Sequence, residues 1–114
     1  MMRLLVFSLL LAVAACVKPT LLAQSEDGSI RVTDRMARQA FQTFCDSPEA
    51  QDRCDRFDQY EIHAGSLTEG IVGAEFILRD RPVHRPGVVP KLQGFGCMWM
   101  SDGVECHSGD HAYD

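Results

Sequence analysis

Two hydrophobic rhythms run along the chain. Val32, Met36, Ala40 and Phe44 recur every four positions, with Ala37 and Phe41 beside them, which makes the apolar stripe of one helix face. Thr33 precedes the stripe as an N-cap, and Asp34 places a negative charge in the first turn. Ser47-Pro48-Glu49 repeats the start signal as cap, proline and acid. Ala50, Cys54 and Phe57 then share one face, while Asp52, Arg53, Asp55 and Arg56 form a solvated one. These positions predict helices over about 33–45 and 47–57. From Tyr60 the period changes to two. Tyr60, Ile62 and Ala64 alternate with Glu61 and His63, and Val72, Ala74, Phe76 and Leu78 alternate with Gly73, Glu75 and Arg79. Leu92 to Met100 and Gly103 to His107 supply two further runs, joined across Ser-Asp-Gly, a hairpin turn signal. The expectation is a small α+β domain: two helices, then an antiparallel sheet of three to four strands.

The first residues follow neither rhythm. Met1-Met2-Arg3 is a short positive start, and Leu4 to Ala15 is apolar except for Ser8. A membrane-spanning helix needs about 20 such residues, so this length fits the h-region of a signal peptide. The run ends Val13-Ala14-Ala15-Cys16, an aliphatic residue, two small ones and a cysteine, which resembles the lipobox of bacterial lipoproteins. That resemblance implies removal of residues 1–15, a diacylglyceryl group on the Cys16 sulfur and a further acyl chain, of palmitate type, on its amine. Val17 stands where aspartate would signal inner-membrane retention. The resemblance therefore implies a protein anchored in the cell envelope, at the outer membrane and facing the periplasm. A cut after Ala12-Val13-Ala14 is the rival, and it would leave Cys16 as a loose thiol. Residues 16–29 read as a polar tether that could reach roughly 40 Å if extended, and residues 30–114 as the domain.

Acidic residues outnumber basic ones, 16 against 11, so the chain as a whole has no basic field to attract nucleic acid or anionic lipid. Five cysteines in 114 residues leave one without an internal partner in an exported protein, and a lipid on Cys16 accounts for it. Cys45 and Cys54 flank the turn between the expected helices, and Cys97 and Cys106 flank Ser-Asp-Gly. Four cysteines allow three connectivities; local pairing is the expectation. A four-residue loop, Met100 to Gly103, would set Cys97 opposite Cys106, whereas a two-residue Asp-Gly turn would offset them. Each bridge would stabilise by roughly 2 to 3 kcal/mol in the chain-entropy account.

Candidate chemistry is sparse. His107, Asp110 and His111 in the C-terminal tail are residue types that suit zinc or copper, set against a tail that is simply solvated. Arg79, Arg81, Arg85 and Lys91, with His84, lie in a proline-rich stretch; they could grip an anionic partner or be ordinary surface charge on a connection. Ser101, Asp102 and His107 are triad residue types confined to one hairpin, without a nucleophile elbow. No catalytic constellation emerges. The expected function is a membrane-anchored envelope lipoprotein with a binding or inhibitor-like domain, its partner an envelope protein or anionic envelope component. The alternative is a metal-binding lipoprotein using the tail. If Cys16 carries lipid and the other four cysteines are paired, the mature chain resists alkylation under denaturing, non-reducing conditions. It then takes up four alkyl groups after reduction, counted by intact mass, and Cys45→Ser exposes Cys54 as a reactive thiol.

Overall fold

The computed structural model describes residues 18–68, 70–80 and 85–109. These residues form a mixed α/β fold with one α-helix, two antiparallel sheets and two disulfides among them. Strands β1 (Leu21–Gln24) and β2 (Arg31–Thr33) pair as a hairpin; helix α1 (Asp34–Cys45) follows directly. After a turn-rich segment and one 3-10 turn at Phe57–Gln59 come β3 (Tyr60–Ser66), β4 (Val72–Leu78), β5 (Gly94–Met100) and β6 (Gly103–Ser108). These four form a meander in sequence order.

Helix α1 starts where its cap requires. Thr33 is extended, and its hydroxyl accepts from the Met36 amide at 3.3 Å. The stripe Ala37, Ala40, Phe41 and Phe44 is buried against the inner face of the large sheet. Alternation places Tyr60, Val72, Ala74, Phe76, Phe95, Cys97 and Trp99 on that face, all buried. Phe76 and Phe95 are direct cross-strand partners, stacked at 4.6 Å with 10° between their rings. Phe44 stacks on Phe95 at 4.3 Å, and Phe41 meets the rings of Phe57 and Tyr60 edge-on at 5.2 Å.

The expected second helix over 47–57 does not form. Ser47, read as its cap, instead finishes α1: its amide and hydroxyl both donate to the Phe44 carbonyl. Gln51 and Asp52 then adopt positive φ, 52° and 58°, which no helix continues through. The Cys45–Cys54 bridge, with Cα atoms 5.8 Å apart, forces the chain to double back; a helix from Ser47 would carry Cys54 about 10 Å along its own axis. The second bridge joins Cys97 to Cys106, which sit directly opposite each other across β5 and β6, with Met100 opposite Gly103. The four-residue loop is therefore the one adopted.

The segment read as tether also differs. Leu21–Gln24 is strand β1, lying against β3, and the Ser-Glu-Asp-Gly-Ser cluster is its hairpin turn. Thr20 is clasped to the start of α1: its amide donates to Asp34 Oδ1 at 2.9 Å, and the Asp34 amide donates to the Thr20 carbonyl at 2.8 Å.

Asp27 holds the β1–β2 turn together. Its Oδ1 accepts from Ser25 Oγ and Ser29 Oγ, each at 2.7 Å, and from the Ser29 amide at 3.1 Å. Ser25, almost wholly buried, accepts in turn from the Ile30 amide at 3.0 Å. The Ser25 hydroxyl, then the Ser29 hydroxyl and amide, hold the Asp27 carboxyl down at about 2 from its ordinary 3.8. A depressed carboxylate stabilises the fold fully above its unfolded value and loses that contribution as pH falls through its folded one. Asp27→Ala should therefore lower Tm by a constant amount above pH 3.8, and the gap from wild type should close as pH drops towards 2. Thermal melts monitored by circular dichroism across that window check this.

Candidate functional site

Among the described residues the helix covers one face of the large sheet, and none of them forms an element over the outer face of β3 to β6. The residues on it follow from the same alternation that buries the aromatic ones. One cross-strand row reads His63, Glu75, Gly96, His107; the next reads Gly65, Gly73, Met98, Glu105. Strand β5 therefore presents Gly94 and Gly96 outward between the side-chain ridges of β4 and β6. With strands about 4.8 Å apart, those ridges stand about 10 Å from each other. The result is a trough of about 500 Å³ floored by backbone, with Leu67, Ile77 and Met98 as apolar walls.

The glycines differ in why they are there. A Cβ on Gly94 would lie 3.0 Å from the Phe76 carbonyl oxygen, so close packing of two strands requires that glycine. A Cβ on Gly96 would sit at an ordinary 3.7 Å from the Ala74 carbonyl oxygen, and one on Gly65 would meet nothing within 4 Å. Folding demands no glycine at those two positions. At Gly73 an added Cβ would meet the Leu67 side chain at 2.7 Å, because Leu67 lies across it as the trough wall.

The polar groups divide into paired and unpaired. His63 Nε2 lies 3.3 Å from Glu61 Oε2, as the exposed strand histidine expected. His107 Nδ1 lies 3.6 Å from Glu49 Oε2, and the Ser108 amide donates to Glu49 Oε1 at 3.1 Å. Glu49, expected in a helical first turn, instead ties the end of β6 to the turn after α1. The Glu75 and Glu105 carboxylates make no hydrogen bond or ion pair with any described residue. The trough lining contains both of these carboxylates and no lysine or arginine. Its electrostatic character is negative, and its unsatisfied acceptors face solvent.

The residues singled out from the sequence are not gathered here. Cys16 lies outside the described residues, as do Arg81, His84, Asp110 and His111. His107 is on β6, and no group of three His, Cys, Asp or Glu among the described residues is placed to hold a metal ion. Arg79, Arg85 and Lys91 are exposed at the opposite end of the strands from the Ser101-Asp102 turn. Lys91 Nζ reaches the Cys54 carbonyl at 3.5 Å, and Arg53 Nε donates to the Pro90 carbonyl at 3.2 Å, so Arg53 is a structural tie and not the solvated charge that its sequence position predicts. Of the apolar residues in the Leu92 to Met100 run, Phe95 and Trp99 are core, while Met98 faces out into the trough.

No family model, curated protein or solved structure matches the chain. The chemistry of the trough rests on its own residues.

Gly96→Ala should leave stability unchanged or raise it by about 0.5–1 kcal/mol, since alanine costs less entropy than glycine in a strand. Gly94→Ala should lower it, because the Phe76 backbone must yield. Urea unfolding of the two variants side by side measures the contrast.

Proposed function

We propose that this chain is a membrane-anchored envelope lipoprotein whose small domain binds a cationic, extended segment of another envelope protein along the open face of its sheet. The observation that carries the binding half is the backbone-floored trough, with Glu75 and Glu105 unpaired on either side of β5. An arginine or lysine side chain laid over Gly96 meets no Cβ, so its aliphatic stem can lie flat on the backbone while its charge reaches a carboxylate. Leu67, Ile77 and Met98 offer the stem apolar contact. The anchoring half is supported by the lipobox-like Val13-Ala14-Ala15-Cys16, and the two disulfides suit an oxidising compartment such as the periplasm. The domain then acts by occupancy, holding or blocking a partner at the membrane surface.

The test uses two peptides of equal length, one alternating arginine with leucine and one alternating glutamate with leucine. In an amide-resolved NMR titration the cationic peptide should shift Gly65, Gly73, Glu75 and Gly96, and the acidic one should not. Glu75→Gln with Glu105→Gln should weaken binding several-fold, the scale of two exposed ion pairs, and Gly96→Val should block it while Tm holds. Equal response to both peptides, or shifts away from the outer face, would reject the reading. Fractionation of cells carrying Cys16→Ser tests the anchor separately, the expected result being loss from the membrane fraction.

A further inference from the structure

The proline-rich segment after β4 carries a feature that its charges conceal. Val88 and Val89, 59% and 69% exposed, are the most exposed large hydrophobic residues among those described. They sit in Arg85-Pro86-Gly87-Val88-Val89-Pro90-Lys91. The Val88 amide donates to the Arg85 carbonyl at 3.2 Å, closing a turn around Pro86 and Gly87, with Gly87 at φ +81°. Proline followed by a glycine of positive φ is the arrangement a type II turn requires.

The base of this tip is firmly held. Leu92 is fully buried, its amide donates to the Arg53 carbonyl at 2.8 Å, and Arg53 Nε donates to the Pro90 carbonyl. Arg53 adjoins Cys54, which is bridged to the last residue of α1. The two valines are therefore projected from a fixed platform, at no cost in ordering that platform on contact. Residues 86–90 contain no polar side chain, and the two prolines remove two backbone donors. The tip offers no side chain with which to select a partner by hydrogen bonding. Its sequence neighbours are cationic: Arg85 and Lys91 flank it on either side, and the seven residues 85–91 include no carboxylate in a chain of net charge −5, the nearest described one on the β4 side being Asp80.

An apolar tip flanked by two cations matches the boundary between headgroups and acyl chains of an anionic bilayer. We propose that Val88 and Val89 insert at the interface of a phospholipid membrane containing anionic lipid, with Arg85 and Lys91 against its headgroups. This contact needs no lipid on Cys16 and stands apart from the trough.

The experiment uses the full chain carrying Val89→Trp, mixed with vesicles of phosphatidylglycerol and phosphatidylcholine whose acyl chains are brominated. The introduced tryptophan should shift to the blue and be quenched, while the wild-type chain, whose Trp99 is 6% exposed in the core, should be unaffected. Arg85→Gln with Lys91→Gln should reduce the tip's partitioning by about 30-fold, from the contribution of two cations near an anionic surface. Pure phosphatidylcholine vesicles should give a comparable loss. Flotation with the vesicles reports attachment by any route, so the anchor and the tip fail separately. An introduced tryptophan that stays unquenched, whether or not the chain floats, overturns the proposal, as does quenching indifferent to anionic lipid.

Discussion

Phe95 is held between two rings, Phe76 from the neighbouring strand and Phe44 from the helix, and most of the domain is arranged by that stack. Stacked and edge-on aromatic pairs at these distances contribute beyond the area they bury. Phe41 adds contacts with Phe57 and Tyr60, so one cluster joins the helix, the 3-10 turn and three strands. Because side chains alternate along a strand, committing Phe76 and Phe95 inward leaves no choice for their neighbours. Glu75, Ile77, Gly94 and Gly96 must face away. The open trough is the other side of the aromatic core.

The two disulfides and Glu49 protect this arrangement at its edges. Cys97–Cys106 fixes the register of β6 against β5, and a slip of one residue would turn His107 and Glu105 inward. Cys45–Cys54 fixes the turn from which Arg53 holds Leu92 and Pro90. A small core thus supports two distinct surfaces, one acidic and concave, one cationic and protruding.

Much of this was legible in the sequence, and the failures have physical causes. Helix α1 was readable because its cap, first-turn acid and four-residue stripe all agree. The strands were readable because their buried residues alternate, and the placement of each cysteine pair on either side of a turn pointed to local bridges. The second helix misled because Ser47-Pro48-Glu49 has the composition of a start while Ser47 is taken up in ending α1. Strand β1 was hidden because Ser25-Glu26-Asp27-Gly28-Ser29 suits a flexible linker and a hairpin turn equally. Burial of Ser25 beneath Asp27 and Ile30 decides between them, and only tertiary structure supplies that. The trough had a signal that composition obscured: Gly73, Gly94 and Gly96 occupy the parity opposite to the buried residues of their strands. In the basic stretch charge drew attention from Val88 and Val89, whose exposure depends on the anchoring of Leu92.

The clasp between Thr20 and Asp34 sets a length scale. For a chain anchored at Cys16, only Val17, Lys18 and Pro19 separate the lipid from the first fixed residue, a span of at most about 14 Å. Such a domain would explore a thin shell above the bilayer, where an extended tether over residues 16–29 would let it range to roughly 40 Å. Its encounters would become two-dimensional: partners in the same membrane would meet it at high effective concentration, and those dissolved in bulk would have to come to the surface to be met.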